Sequence, residues 1–236
     1  MEESMKVRLI SYSTHAFDPF RGDEIESDLH NIQDLIAYCA RVSNPSNQSS
    51  TETTDRLLGY LIKNKHWSPF EMVSVCLEIE TTRDIARQFL RHRSFSFQEF
   101  SQRYADPTKD LSFVLREARM QDPANRQNSV KIGMTLGEIN LIEQWNDKQM
   151  QVLSIAKEVY NWAIKNGIAK EQARAVLPEG MTVSRVYVNG TLRSWIHYIE
   201  LRSGNGTQLE HMELAKACAN VISKIFPMIE GFVQNE

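Results

Sequence analysis

The chain has 236 residues, of which 42% are hydrophobic and 24% charged, with a net charge of −3. That length suits one well-packed domain, and no linker, internal repeat or low-complexity run divides it, so residues 1–236 read as a single unit. The acid balance, with a pI near 6.1, weighs against general nucleic-acid binding, whose affinity rests on phosphate neutralisation; any basic site is therefore local.

The opening MEESMKVRL has no positively charged start followed by an apolar stretch, and nowhere do about 18 apolar residues run together, so a cytoplasmic protein without a membrane partner is expected. KVRLISY (6–12) alternates as a strand does, and the pairs Asp18-Pro19 and Gly22-Asp23 then mark a loop. A helix is predicted from Ser27 to Arg41, a loop over 43–51, and a second helix through Leu57, Leu58, Leu61 and Ile62 that stops near Asn64. After the turn His66-Trp67-Ser68-Pro69, MVSVCLEIE (72–80) places Val73, Val75, Leu77 and Ile79 on one face and is the clearest strand. Thr81, with Asp84 three residues on, resembles a capping box opening a helix that ends in Arg91-His92-Arg93.

Residues 105–132 show no sustained period and hold Pro107 and Pro123, which predicts a long, partly mobile connection of the kind that covers a site. From Leu136 to Asn166 apolar residues recur at helical spacing (Ile139, Ile142, Trp145, Leu153, Ala156, Tyr160, Ala163), and Gly167 supplies a stop. A short helix follows over 170–176, ended by Pro178. MTVSRVYV (181–188) reads as a strand, Asn189-Gly190 as a turn, and Thr191 as the cap of TLRSWIHYIELR. Thr207 and Glu210 form a further capping box for a last helix to about Phe226. The pattern as a whole predicts an α+β fold with a central, mostly antiparallel sheet flanked by helices.

RHRSFSFQEFSQR (91–103) concentrates arginines and phenylalanines in a chain that is otherwise weakly acidic. Arg83, Arg87 and Arg91 lie four apart and would share a helical face. A solvated charged face is the plain reading. The absence of lysine from the cluster tilts it toward binding, because the planar guanidinium fork suits phosphate and stacks on rings. Phe95, Phe97, Phe100 and Tyr104 add aromatic surface, so a flat heterocycle bearing phosphate would find both chemistries here. No G-x-G-x-x-G follows a strand and no G-x-x-x-x-G-K-[ST] occurs, so side chains would have to hold the phosphates. A nucleic-acid-binding module would also use arginines with stacked aromatics, and remains the alternative. A metal-dependent nucleotide hydrolase would need a ligand set that is not found: His66 has no second histidine at ligand spacing, and Cys39, Cys76 and Cys218 are an odd count without metal-type spacing. The three thiols read as buried and inert.

RHR, seven residues and then Ser101, with Arg103 two further on, resembles the signature of the flavin-dependent thymidylate synthases. HWSPFE (66–71), EQARAVLP (171–178) and GTLRSWIHYIELRSGNGTQLE (190–210) resemble further segments of that family in the same order, together covering about residues 60 to 215. The resemblance implies FAD as cofactor, held by Ser68, Arg91, His92, Arg93, Glu99, Thr191, Leu192, Arg193 and His197. It implies dUMP held by Gln88, Phe89, Leu90, Arg91, Glu99, Phe100, Ser101, Gln102, Arg103, Arg174 and Arg202, with Arg202 the catalytic group and His66 near the flavin or folate. It further implies reductive methylation of dUMP with 5,10-methylenetetrahydrofolate as carbon donor and NADPH as reductant, no catalytic thiol or metal, and a homotetramer whose subunits share active sites. The chain departs from the family pattern in its Phe-rich SFSFQEF and in Gly206, which stands where some members carry a flavin-stacking histidine.

Overall fold

The computed structural model describes residues 5–15 and 31–234. The elements in chain order are β1 (Lys6–Tyr12), α1 (Ile32–Ala40), α2 (Thr54–Lys63), β2 (Ser74–Thr82), α3 (Arg83–Phe89), β3 (Phe95–Glu99), α4 (Pro107–Asp110), β4 (Arg119–Gln121), β5 (Ser129–Lys131), α5 (Leu136–Lys165), α6 (Lys170–Ala173), β6 (Val183–Thr191), α7 (Leu192–Arg202) and α8 (Leu209–Ile222). Four strands form an antiparallel sheet in the order β1-β2-β6-β3, and β4 pairs with β5 in a separate hairpin. The α+β expectation with an antiparallel sheet holds.

Period-two alternation explains how the sheet carries its core. Val75, Leu77 and Ile79 of β2 are fully buried, and with Val186, Val188, Phe95 and Phe97 they form one wall, against which α3, α7 and α8 pack. The opposite face carries charge: Arg8 pairs with Glu78 and Arg185 with Glu80. Trp195, fully buried on α7, donates its Nε1 to the Val75 carbonyl at 3.0 Å, so helix and sheet are pinned by a bond as well as by apolar contact.

Several boundaries differ from the sequence reading. Asn31 caps α1 by accepting from the Asp34 N–H, so the first described helical residue is Ile32; residues 18–23 and 27–30 of the expected loop and helix start lie outside the described residues. Strand β2 continues to Thr82 because Thr81 and Thr82 pair with Ser184 and Val183, and α3 opens one residue later than the capping-box reading placed it. It also ends earlier, at Phe89: the chain must turn at 91–94 to bring Phe95 beside β6, so Arg91-His92-Arg93 forms a tight connection instead of a last helical turn. SFSFQEF, read above only as aromatic surface, contains the edge strand β3.

Asn189-Gly190 is not a turn but part of β6, where Gly190 pairs with Val75 on one side and Phe95 on the other. The glycine serves close approach: a Cβ there would drive into the Phe95 ring. Gly190→Ala should therefore cost about 1–3 kcal/mol through overpacking and lower the thermal unfolding midpoint; an unchanged midpoint would refute this account of the residue.

Residues 105–132 are anchored rather than featureless. They hold α4, the β4–β5 hairpin and a bridge from Phe113 to Thr182, while Arg116 donates to Asp84 and receives Trp145 Nε1 and Gln149 Nε2 on its carbonyl. Dispersed polar anchors of this kind leave no hydrophobic period. The expected Thr207 cap is displaced by one residue: Gln208 occupies the cap position of α8 without a side-chain capping bond, and α8 ends at Ile222. By contrast α5 begins with a complete capping box between Thr135 and Glu138 and stops before Gly167, whose φ is +79°.

Candidate active site

Thr191 leaves β6 and caps α7 by accepting from the Ser194 N–H, as its place before an amphipathic run requires. Leu192, Trp195, Ile196 and Ile199 are thereby buried, and Arg193 and His197 lie on the outer face. Arg202 falls in the last turn and reaches the Arg91-His92-Arg93 connection, where its Nε donates to His92 Nε2 at 3.1 Å. Burial, then the positive charges of Arg202 and Arg91, push the His92 pKa down to about 4. His92 is thus neutral at physiological pH, accepts at Nε2, and carries its proton on Nδ1. This bond occupies only one edge of the Arg202 guanidinium; its two terminal nitrogens make no hydrogen bond or ion pair among the described residues.

The arginines of α3 and of the motif segments divide into two groups. Arg83 pairs with Glu99 at 3.2 Å, Arg87 with Glu179 at 2.6 Å, Arg103 with Glu171 at 3.2 Å, and Arg193 with Glu71. Arg91, Arg93, Arg174 and Arg202 have no carboxylate partner among the described residues. The reading of Arg83, Arg87 and Arg91 as sharing one helical face is thereby corrected: Arg91 lies beyond α3, and the other two pair with Glu99 and Glu179.

The resemblance-implied residues assemble in three patches. Gln88, Phe89, His92 and Arg202 meet at the junction of α3, α7 and α8; Phe89 stacks on Tyr198 at 4.3 Å, and His92 stands edge-on to Tyr198 at 5.1 Å. His66, Ser68, Arg193 and His197 gather around Trp67, whose ring lies 5.2 Å from that of His197, while His66 sits 6.0 Å from the Tyr60 ring. The third patch holds Ser101, Gln102 and Arg103 near α6, through the Arg103–Glu171 pair, beside Arg174. Gln102 is buried with its Nε2 unpartnered, and Glu99 is engaged by Arg83 and Ser184. Among the described residues no hydrogen bond, ion pair or ring contact joins the third patch to Arg202 within one chain.

A cavity of about 470 Å³ opens between the β4–β5 hairpin and residues 203–209, lined among others by Arg119, Lys131, Gly206 and Gln208. Gly206 has a φ of +88° and open space where a Cβ would project. The sequence reading missed His211, which is fully buried and bonded to Gln88; its place on the apolar face with Leu214, Ala215, Cys218 and Ile222 was the available signal. Cys218 is fully buried as expected, whereas Cys39 and Cys76 are only partly buried. Burial raises the pKa of all three, so none is a thiolate at neutral pH. Among the described residues no group of three or more His, Cys, Asp or Glu side chains could hold a metal ion.

Residues 25–228 match the family described as "Thymidylate synthase complementing protein". A probable flavin-dependent thymidylate synthase of Paramecium bursaria Chlorella virus 1 is 49% identical over 201 residues, covering 85% of this chain and 90% of that protein. A flavin-dependent thymidylate synthase of Synechocystis is 47% identical over 201 residues, covering 85% and 88%. Among solved structures, a UMP/dUMP methylase, PolB from Streptomyces cacaoi bound with 5-Br dUMP, superposes with a TM-score of 0.73 over 97% of this chain and 93% of that one at 23% identity, a likeness of fold. With the match spanning 25–228 and relatives near half identical over most of both chains, the chain belongs to the family of thymidylate synthase complementing proteins.

Proposed function

We propose that the protein is a cytoplasmic flavin-dependent thymidylate synthase, converting dUMP to dTMP by reductive methylation with 5,10-methylenetetrahydrofolate as carbon donor and NADPH as reductant. The observation that carries this reading, beside family membership, is that Arg91, Arg93, Arg174 and Arg202, all within the motif segments, have no carboxylate partner among the described residues on a chain of net charge −3. Such cations suit anionic ligands.

The residues present fit FAD at the Arg91-His92-Arg93 connection, where two unpaired guanidiniums flank a neutral imidazole, and at Gly206, where the open side admits a flat ring. Ser68, Thr191, Leu192 and His197 complete that assignment. Glu99 and Arg193 belong to it as well, but each is held by an ion pair within the chain and would exchange or share that partner. When bound, FAD would carry reducing equivalents from NADPH to the one-carbon unit. Arg103, Arg174 and Ser101 would take the dUMP phosphate, and Gln88, Phe89, Leu90, Phe100 and Gln102 would border the nucleotide. Arg202, steadied through Nε by His92, would present its free nitrogens to the uracil N3 and carbonyl edge, where they stabilise the negative charge that makes C5 nucleophilic. The folate would approach near His66.

We also propose a homotetramer with shared sites. Leu141, Trp145, Val152, Ile155, Val159 and Trp162 are exposed on α5 and, at 100° per residue, fall within an arc of about 100°. A stripe of this length on a single helix suits self-association.

The reading is tested on purified protein. It should carry, or take up, FAD with visible absorbance, whereas a nucleic-acid-binding module would bind none. Replacing Cys39, Cys76 and Cys218 together by Ser should leave dTMP formation within about an order of magnitude, with some loss of stability from the buried Cys218 site. A folded, flavin-loaded triple variant without turnover would defeat the thiol-independent reading.

A further inference from the structure

Behind the Arg202–His92 pair runs a part-buried polar chain, ending at the fully buried His211, whose hydrogen bonds permit only one direction. It starts at Glu210, where Oε1 receives Arg119 Nη2 and lies 3.4 Å from Arg116 Nη1, and Oε2 accepts from Gln208 Nε2 at 2.9 Å. Burial pushes the Glu210 carboxyl upward, but its own backbone N–H, Gln208 and the two arginines outweigh that and hold it below the usual carboxylate range. Ionised, it can only accept.

Gln208 must then turn its NH2 toward Glu210 and its carbonyl toward Gln88. Gln88 in turn donates from Nε2 to Gln208 Oε1 at 2.7 Å and offers its own Oε1 to His211 Nδ1 at 3.1 Å. Since Gln88 presents an acceptor, His211 must carry its proton on Nδ1. His211 is fully buried, with Nε2 unpartnered among the described residues. Burial, then Arg202 and His92, keep it neutral by lowering its pKa to about 3. A side-chain amide normally has two nearly isosteric orientations; here the ion pair at the hairpin selects one of them.

We infer that Glu210, Gln208 and His211 are positioning residues that hold the Gln88 amide in a single orientation for recognising the pyrimidine, the polarity being set by the Arg116–Glu210–Arg119 cluster. This rests on the reading of Gln88 as a dUMP contact. An amide fixed in one sense discriminates a ring edge by matching its donors and acceptors, because the mismatched edge leaves buried polar groups unpaired. Arg119, Gln208 and Glu210 lie in sequence 31, 120 and 122 residues from Gln88, in segments brought to it by the β4–β5 hairpin and α8.

The test uses flavin-loaded protein with 15N-labelled histidine. The unsubstituted enzyme should show His211 as a neutral Nδ1–H tautomer. In Glu210→Gln, position 210 can donate as well as accept, both amides can flip, and His211 should populate the Nε2–H form. Glu210→Gln and His211→Leu should each weaken dUMP binding about tenfold with flavin content unchanged, and His211→Asn, whose amide nitrogen can replace Nδ1 as donor, should recover most of the loss. An Nε2–H tautomer in the unsubstituted enzyme overturns the inference even where a variant fails to fold. So does Glu210→Gln with tautomer and dUMP affinity both unchanged. Gln88→Leu separates the two layers: if it leaves dUMP binding intact, the assignment of Gln88 falls and the inference with it, whereas if it weakens binding and the other variants do not, the inference alone falls.

Discussion

Arg202→Ala is expected to keep its flavin, and NADPH should still reduce that flavin, while dTMP formation falls by about 10²–10³ or more. The size follows from the place proposed for the guanidinium at the uracil edge. A donor aimed at charge that develops in the transition state, in a site with little water, is worth far more than an exposed ion pair of under about 1 kcal/mol. Its anchoring explains why the group is ready in advance: His92, neutral and accepting at Nε2, takes one nitrogen and leaves the other two free. Arg202→Lys should recover little, because one ammonium cannot serve His92 and the uracil edge together. Arg93→Ala should behave differently and lose flavin first. Flavin occupancy, anaerobic flavin reduction and dTMP yield on the three variants read this directly, and near-normal dTMP formation by Arg202→Ala would leave the residue a helix-end cation.

A comparably large effect is expected from the α5 stripe. Ile155 and Trp162 are 61% and 59% exposed in the single chain, on a helix whose buried residues are only Gln149, Ala156, Tyr160 and Ala163. If copies of the chain cover this face, Ile155→Glu with Trp162→Glu places uncompensated charges in a desolvated contact at about 3–5 kcal/mol each, and association weakens by more than about a hundredfold. The variant should then elute as a smaller species and lose both flavin and dTMP formation, since among the described residues no hydrogen bond, ion pair or ring contact joins the Arg103–Arg174 patch to Arg202 inside one chain. Light scattering on the eluting protein gives the mass. An unchanged assembly would remove α5 from the interface, and a fully active monomer would refute shared sites.

The parts of this structure legible in the sequence are those governed by short-range periodicity. Val75 to Ile79 alternates and lies in β2, one of the two inner strands; Thr191 precedes an amphipathic run and becomes its cap; the helical spacing from Leu136 becomes the longest helix. Where two rules compete, the tertiary one prevails. Asn189-Gly190 has turn chemistry, yet strands on both sides keep it extended and Phe95 needs the space of a missing side chain. Thr81 has capping chemistry, yet the ladder to Ser184 holds it in the sheet. Phe95 and Phe97 alternate with Ser96 and Gln98 as a strand should, but over only five residues, too short a run to establish a period. The pairing of arginines with acids was not legible, because Arg87 and Glu179 stand 92 residues apart, and Gln88 and His211 stand 123 apart. Candidate residues could thus be named from motifs, while which cations remain unpaired required the fold.

The central claim is most directly tested by anaerobic conversion of isotopically labelled dUMP with the purified protein. With FAD, NADPH and 5,10-methylenetetrahydrofolate present, labelled dTMP should form, and omission of NADPH or of the folate, or removal of the flavin, should abolish it. Failure of the folded, flavin-loaded protein to make dTMP, or undiminished dTMP formation after the flavin has been removed, would contradict the account.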